Sequence, residues 1–121
     1  MNYIKNKLFI DKVEADKIIK QFGTPTYCYS LNKIKSNIIK FQKNFSRFNP
    51  LICFAVKANN NTKILYEISK LGLGADVVSK GELIAALKSK IHPKKIVFSG
   101  VGKTYHEIEF AVKKNILLIN A

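Results

Sequence analysis

The sequence predicts an α/β fold of repeated strand–helix units whose strands pair in parallel. Three observations carry that prediction. Four short apolar runs end near Val56, Val78, Phe98 and Ile119, and neighbouring runs are separated by about one helix and two tight connections. Two of the intervening segments open with a capping signature, Ser79-Lys-Gly-Glu82 and Thr104-Tyr-His-Glu107, in which the hydroxyl accepts from the backbone and the glutamate reaches back. Strands alternating with helices pair in parallel through right-handed crossovers.

In chain order, Asp11-Lys-Val-Glu14 is a further possible capping box, leading into a short helix with Ile18, Ile19 and Phe22 inward and Gly23 as its stop. Thr24-Pro25 breaks that helix. Thr26 to Tyr29 is β-prone, and a long helix is predicted from about Leu31 to Phe45, with Ile34, Ile38, Phe41 and Phe45 on one stripe. Leu51 to Val56 is the first strand of the repeat. The helix after it presents Ile64, Leu65, Ile68 and Leu71 on one face, and Gly72 stands where a left-handed terminal residue is wanted. Residues 1–30 thus form a leading helix and strand segment, and residues 31–121 hold the repeat.

Composition excludes several classes. Of the 121 residues, 47% are hydrophobic and eight are Phe, enough for a buried core in one small domain. The apolar runs fall far short of the roughly 20 residues of a bilayer span, and MNYIKNKLFI lacks a signal-peptide core, so a soluble cytoplasmic protein with no membrane partner is expected. Cys28 and Cys53 form no CxxC pair and have no histidine at zinc-ligand spacing, which indicates buried thiols and no metal site. The net charge of +13 suggests a nucleic-acid-binding domain. Against it, Arg47 is the single arginine among 21 basic residues, and the lysines are spread along the chain without a basic tail. No nucleic-acid partner is expected.

One lysine stands apart by position. In parallel βα architectures functional groups gather at the carboxyl ends of the strands, and Lys57 follows the first apolar run there. A lysine held against apolar walls has its charged form disfavoured, which frees the amine for attack on a carbonyl. Ser99-Gly-Val-Gly-Lys-Thr104 imitates the end of a phosphate-binding P-loop, but Val97 occupies the position of its first glycine, so nucleotide binding is not expected. His92 and His106 have no matched catalytic partner and read as surface residues.

Four stretches then occur in a telling order: GTPTYCYS (Gly23 to Ser30), FAVKAN (Phe54 to Asn59), GLGADVVSKGEL (Gly72 to Leu83) and KIVFSGVGKT (Lys95 to Thr104). Together they resemble the N-terminal part of the diaminopimelate decarboxylases, members of the alanine-racemase-like, fold-type III decarboxylase family. Ornithine- and arginine-type decarboxylases share the AVK and the Asp-containing strand and form the alternative, while VFSGVGK is more similar to the diaminopimelate enzymes.

The resemblance implies a partial (β/α)8 TIM barrel, about its first four βα units, with pyridoxal 5'-phosphate as cofactor. It implies that Lys57 is the catalytic lysine that forms the internal aldimine and that Asp76 is a catalytic and cofactor-binding acid near it. Glu82 matches another acid of that neighbourhood, although a capping role accounts for it equally well. Asn59 could bond near the lysine or simply shape the turn. The substrate implied is an amino acid, meso-2,6-diaminopimelate, converted to L-lysine and CO2.

A complete barrel of this type needs about 250 residues. By comparison with the family, the later glycine-rich phosphate loop, the histidine that stacks on the cofactor ring and the acid facing its pyridine nitrogen are not in this sequence. The expectation is an N-terminal fragment, partnered as a homodimer or by a complementing C-terminal chain, that is inactive without the missing C-terminal part. It is then either active once complemented or the relic of a broken gene, or it holds the cofactor without catalysis.

Overall fold

Residues 2–14 form a three-stranded antiparallel sheet that the hydrophobic periodicity did not disclose: β1 (Asn2–Ile4), β2 (Lys7–Ile10) and β3 (Val13–Glu14). Lys5 and Asn6 join β1 to β2 with φ of 48° and 61°, the two positive values that a primed two-residue hairpin demands. Asp11, at φ 54°, turns the chain between β2 and β3. This overturns the capping box expected at Asp11–Glu14. Asp11 lies in the hairpin turn, where its carboxylate accepts the Ser30 hydroxyl at 2.5 Å, and Glu14 is itself the N-cap, with its carboxylate paired to Lys7 at 2.8 Å.

The helix α1 (Ala15–Phe22) ends as expected at Gly23, whose φ is 78° and whose N–H donates to the Ile19 carbonyl. Its inward face is narrower than predicted. Ile18 is half-buried, but Ile19 and Phe22 are 44% and 67% exposed. Residues 26–29 pair with no strand, so β propensity there yields an irregular segment. The Thr24–Pro25 peptide is cis.

The long helix α2 (Leu31–Phe45) occupies its predicted span, with Ser30 accepting from the Lys33 N–H at its start. Ile34 and Ile38 are half-buried, whereas Phe41 and Phe45 are largely exposed and stack on each other at 4.6 Å. The structure describes residues 1–121 as a computed structural model, and they divide within α2 into two compact units, Met1–Asn37 and Ile38–Ala121.

The second unit is the repeat. Its strands β4 (Cys53–Ala55), β5 (Gly74–Val77), β6 (Ile96–Phe98) and β7 (Leu118–Ile119) pair in parallel in that order. Helices α3 (Thr62–Lys70), α4 (Lys80–Lys88) and α5 (Tyr105–Lys113) connect them. Each predicted run therefore holds a strand, and each predicted capping hydroxyl accepts its backbone N–H: Ser79 from Glu82 and Thr104 from Glu107. Gly72, with φ 81°, closes the turn after α3.

Because side chains alternate along a strand, the parallel register sorts the sheet into two faces. Ala75, Val77, Ile96 and Phe98 lie on one face and are fully buried beneath the helices. Ile64, Leu65, Ile68, Leu83 and Ala86 are the helical half of this core. Burial of each large side chain contributes about 1.5–3 kcal/mol. Cys53, Ala55, Gly74, Asp76, Val97 and Leu118 lie on the other face. Gly74 is required there, since a Cβ at this position would come within 2.1 Å of the Lys95 carbonyl oxygen and 2.9 Å of the Cys53 sulfur.

Candidate active site

The strand β4 stops at Ala55 and the chain tightens into a 3-10 turn, Val56–Ala58, with Lys57 at its centre. Val56 is fully buried and anchors the turn, which packs against β5 and α4. Lys57 itself is exposed. The expectation that apolar walls enclose this amine is thus not met within the chain: the turn directs it away from the core that Val56 enters. Beyond it Asn59 accepts from the Asn61 N–H at 2.9 Å, and Asn61 accepts from the Lys63 N–H at 2.9 Å as the cap of α3. The three asparagines are the turn and cap that lead from strand to helix.

Asp76 faces the open side of β5, in register with Ala55 on one neighbour and Val97 on the other. It is half-buried, and its Oδ1 is fully enclosed with no hydrogen-bond partner. Such an oxygen carries a desolvation cost unless a donor reaches it. The Cys53 thiol shares this face and donates to the Lys95 carbonyl at 3.7 Å. Burial, and after it the charge of Asp76, pushes that thiol above its ordinary range.

Glu82 is placed differently from Asp76. Its Oε2 accepts from the Val78 N–H at 2.9 Å while its own N–H donates to the Ser79 hydroxyl at 3.2 Å. Its carboxylate therefore fastens the turn directly after β5, one residue earlier than a standard capping box would reach. Glu107 completes the box with Thr104 and does more: Oε2 accepts from the Thr104 N–H and hydroxyl, and Oε1 accepts from the Lys80 N–H at 2.9 Å. These donors, Lys80 first, hold its carboxyl below the ordinary glutamate range. The capping pair was legible in sequence, but the bond to Lys80, 27 residues away, had no local signal.

The hydroxyl of Thr104 and the Lys103 ammonium, the P-loop-like pair, are engaged locally, the latter on the Gly100 carbonyl. His92 is exposed and accepts from the Lys94 N–H as a cap, and His106 is exposed beside Tyr105.

All four strands are parallel, so Lys57 and the turns held by Glu82 and Glu107 sit at one end of the sheet. Residues 31–121 match the family model described as pyridoxal-dependent decarboxylase, pyridoxal binding domain. The chain belongs to this family. Among relatives of this decarboxylase domain, diaminopimelate decarboxylase of Aquifex aeolicus (strain VF5) is 44% identical over 120 residues, and that of Helicobacter pylori (strain J99 / ATCC 700824) 48% over 105. The matches take in 99% and 87% of this chain but 28% and 26% of those relatives, so the chain spans about a quarter of their length.

Solved structures agree. AQ1208 from Aquifex aeolicus superposes with a TM-score of 0.93 at 44% identity, covering 99% of this chain and 30% of that one. Diaminopimelate decarboxylase from M. jannaschii in complex with L-lysine gives 0.92 at 39%, covering 97% and 28%. The pyridoxal-dependent decarboxylase domain here is accordingly part of an alanine-racemase-like (β/α)8 barrel. No helix is long and apolar enough to cross a membrane.

Proposed function

We propose that this chain supplies the lysine-bearing part of a cytoplasmic, pyridoxal-phosphate-dependent decarboxylase that converts meso-2,6-diaminopimelate to L-lysine and CO2. The observation that carries the reading is an exposed amine, Lys57 in the turn that leaves β4, together with a carboxylate oxygen without a partner, Asp76 Oδ1 on the neighbouring strand β5, in a pyridoxal binding domain. These two groups fit the cofactor's chemistry: an amine can take an aldehyde carbon, and the half-buried Asp76 carboxylate can accept from a bound N–H or cation.

Bound pyridoxal phosphate supplies an electron sink for the pair left behind when the α-carboxylate departs. The chain's residues do the rest of the work assigned here. Lys57 would hold the aldehyde of the cofactor at the strand ends. Asp76, on the open face of β5, would hold an N–H or cationic group of the bound cofactor. Val56, locked in the core, fixes where the lysine turn leaves the sheet. Glu82 acts as a positioning residue for the turn that follows Asp76. We assign the remaining substrate contacts to a homodimeric partner or a complementing chain.

Diaminopimelate is preferred over an ornithine- or arginine-type substrate because identity to diaminopimelate decarboxylases runs from 38% to 48%, against 22% for the Paramecium bursaria Chlorella virus arginine decarboxylase, a likeness that shows the fold alone. The test is addition of pyridoxal phosphate to the full chain, followed by absorbance. A new visible or near-ultraviolet band that disappears in Lys57→Ala supports the reading, and an unchanged spectrum in that variant refutes it. Mixing with a chain carrying the absent part of the barrel, then assaying CO2 release from meso-diaminopimelate, separates decarboxylation from cofactor holding.

A further inference from the structure

The turns after β5 and β6 are joined at three points. The Ser99 N–H donates to the Val77 carbonyl at 2.8 Å. Gly100, at φ 92°, lies so close to Val78 that a Cβ would approach the Val78 Cβ to 3.1 Å. Across this contact the Lys80 N–H donates to Glu107 Oε1. The Lys80 ammonium also sits 5.0 Å from the centre of the Phe110 ring on α5, so one residue grips the next unit through both backbone and side chain.

The first joint uses backbone alone and would form with many sequences, and the second asks only for a glycine at residue 100. Glu107 is different, because one carboxylate satisfies donors on two successive turns: Lys80 through Oε1, and the Thr104 N–H and hydroxyl through Oε2. Helix capping needs only the second set. The first set ties the start of α4 to the start of α5, and it does so four residues after Asp76 and two after the Val78 N–H that Glu82 holds.

We infer that Glu107 is a positioning residue: through Lys80 it fixes the turn following β5 and thereby the orientation of Asp76 on the open face. The inference rests on the pyridoxal reading for its consequence, but the latch itself is independent of any ligand. A carboxylate is the right group for it. A glutamine has one acceptor oxygen and can serve Lys80 or Thr104, and its amide then presents donors to the other turn.

Amide hydrogen exchange, read residue by residue by NMR on the full chain, tests the latch, and titration with pyridoxal phosphate tests its consequence. In Glu107→Gln the Lys80 amide should exchange about ten-fold faster, as expected for loss of a charge-assisted hydrogen bond, while Thr104→Ala, which removes only the cap hydroxyl, should leave Lys80 protected. Pyridoxal phosphate affinity should fall about three- to ten-fold in Glu107→Gln and hold in Thr104→Ala. Equal loosening of Lys80 in both variants, or none in Glu107→Gln, would overturn the inference and reduce Glu107 to a helix cap. So would unchanged affinity in a loosened Glu107→Gln.

Should Glu107→Gln not fold, the Lys80 amide shift of the unaltered chain decides the latch: it must titrate with Glu107 below the ordinary glutamate range, and a flat profile overturns the inference. A chain that never binds pyridoxal phosphate refutes the proposed function instead, with the Lys80 exchange still deciding whether the latch exists.

Discussion

The two faces of the parallel sheet are built from the same four strands and obey opposite rules. On the helix-covered face Ala75, Val77, Ile96 and Phe98 are fully buried and carry no polar atom in their side chains. On the open face Cys53, Ala55, Asp76 and Val97 are half-buried, and Leu118 is 54% exposed. The covered face supplies the burial that orders the strands. The open face holds a carboxylate oxygen with no partner and a thiol raised in its titration by burial and, after it, by the charge of that carboxylate, features that weaken a fold and suit a site. Stability and chemistry are thus separated by the period-two alternation of a strand, one residue apart.

Substitutions can break this division in order of expected effect. Phe98→Ala on the covered face should cost about 3–5 kcal/mol, read as a shift of the urea midpoint, because it leaves a cavity in place of a fully buried ring. A cost below about 1 kcal/mol would mean that the helices do not seal this face. Next comes the acid response of the latch. Glu107 titrates below the ordinary glutamate value of about 4.3, so its contribution is present above that pH and is lost as pH falls through the lowered value. The melting temperature of the unaltered chain should therefore exceed that of Glu107→Gln near neutrality, with the gap closing in acid. A gap that is constant with pH would remove the charge from the account.

The smallest stability effect belongs to the open face. Asp76→Asn should change stability by less than about 1 kcal/mol, since Oδ1 has no hydrogen bond within the chain to lose. The same substitution should let the Cys53 thiol ionise at lower pH, because the Asp76 charge is one of the two causes that raise it. Thiol labelling as a function of pH reads this directly. A large destabilisation by Asp76→Asn would show that the carboxylate serves the fold and not a site.

Sequence reasoning reached the covered face more fully than the open one, for a physical reason. Runs that end at Val56, Val78, Phe98 and Ile119 are dense enough to disclose strands ending at Ala55, Val77, Phe98 and Ile119, since burial on a parallel sheet selects continuous apolar residues. The caps Ser79 and Thr104 were legible because their partners lie three residues away. The Lys5-Asn6 hairpin was hidden because neither residue is glycine, and Asp11 imitated a helix cap while serving a turn. The Glu107–Lys80 bond and the isolation of Asp76 Oδ1 depend on where distant turns meet, which no local pattern encodes.

The central claim is that the amine at the end of β4 is the one that takes the cofactor aldehyde. Borohydride reduction of the full chain with pyridoxal phosphate, followed by peptide mass mapping, tests it most directly. The account predicts the label on the peptide containing Lys57, with that label absent in Lys57→Ala. Label spread evenly over the surface lysines, or undiminished in Lys57→Ala, would contradict it.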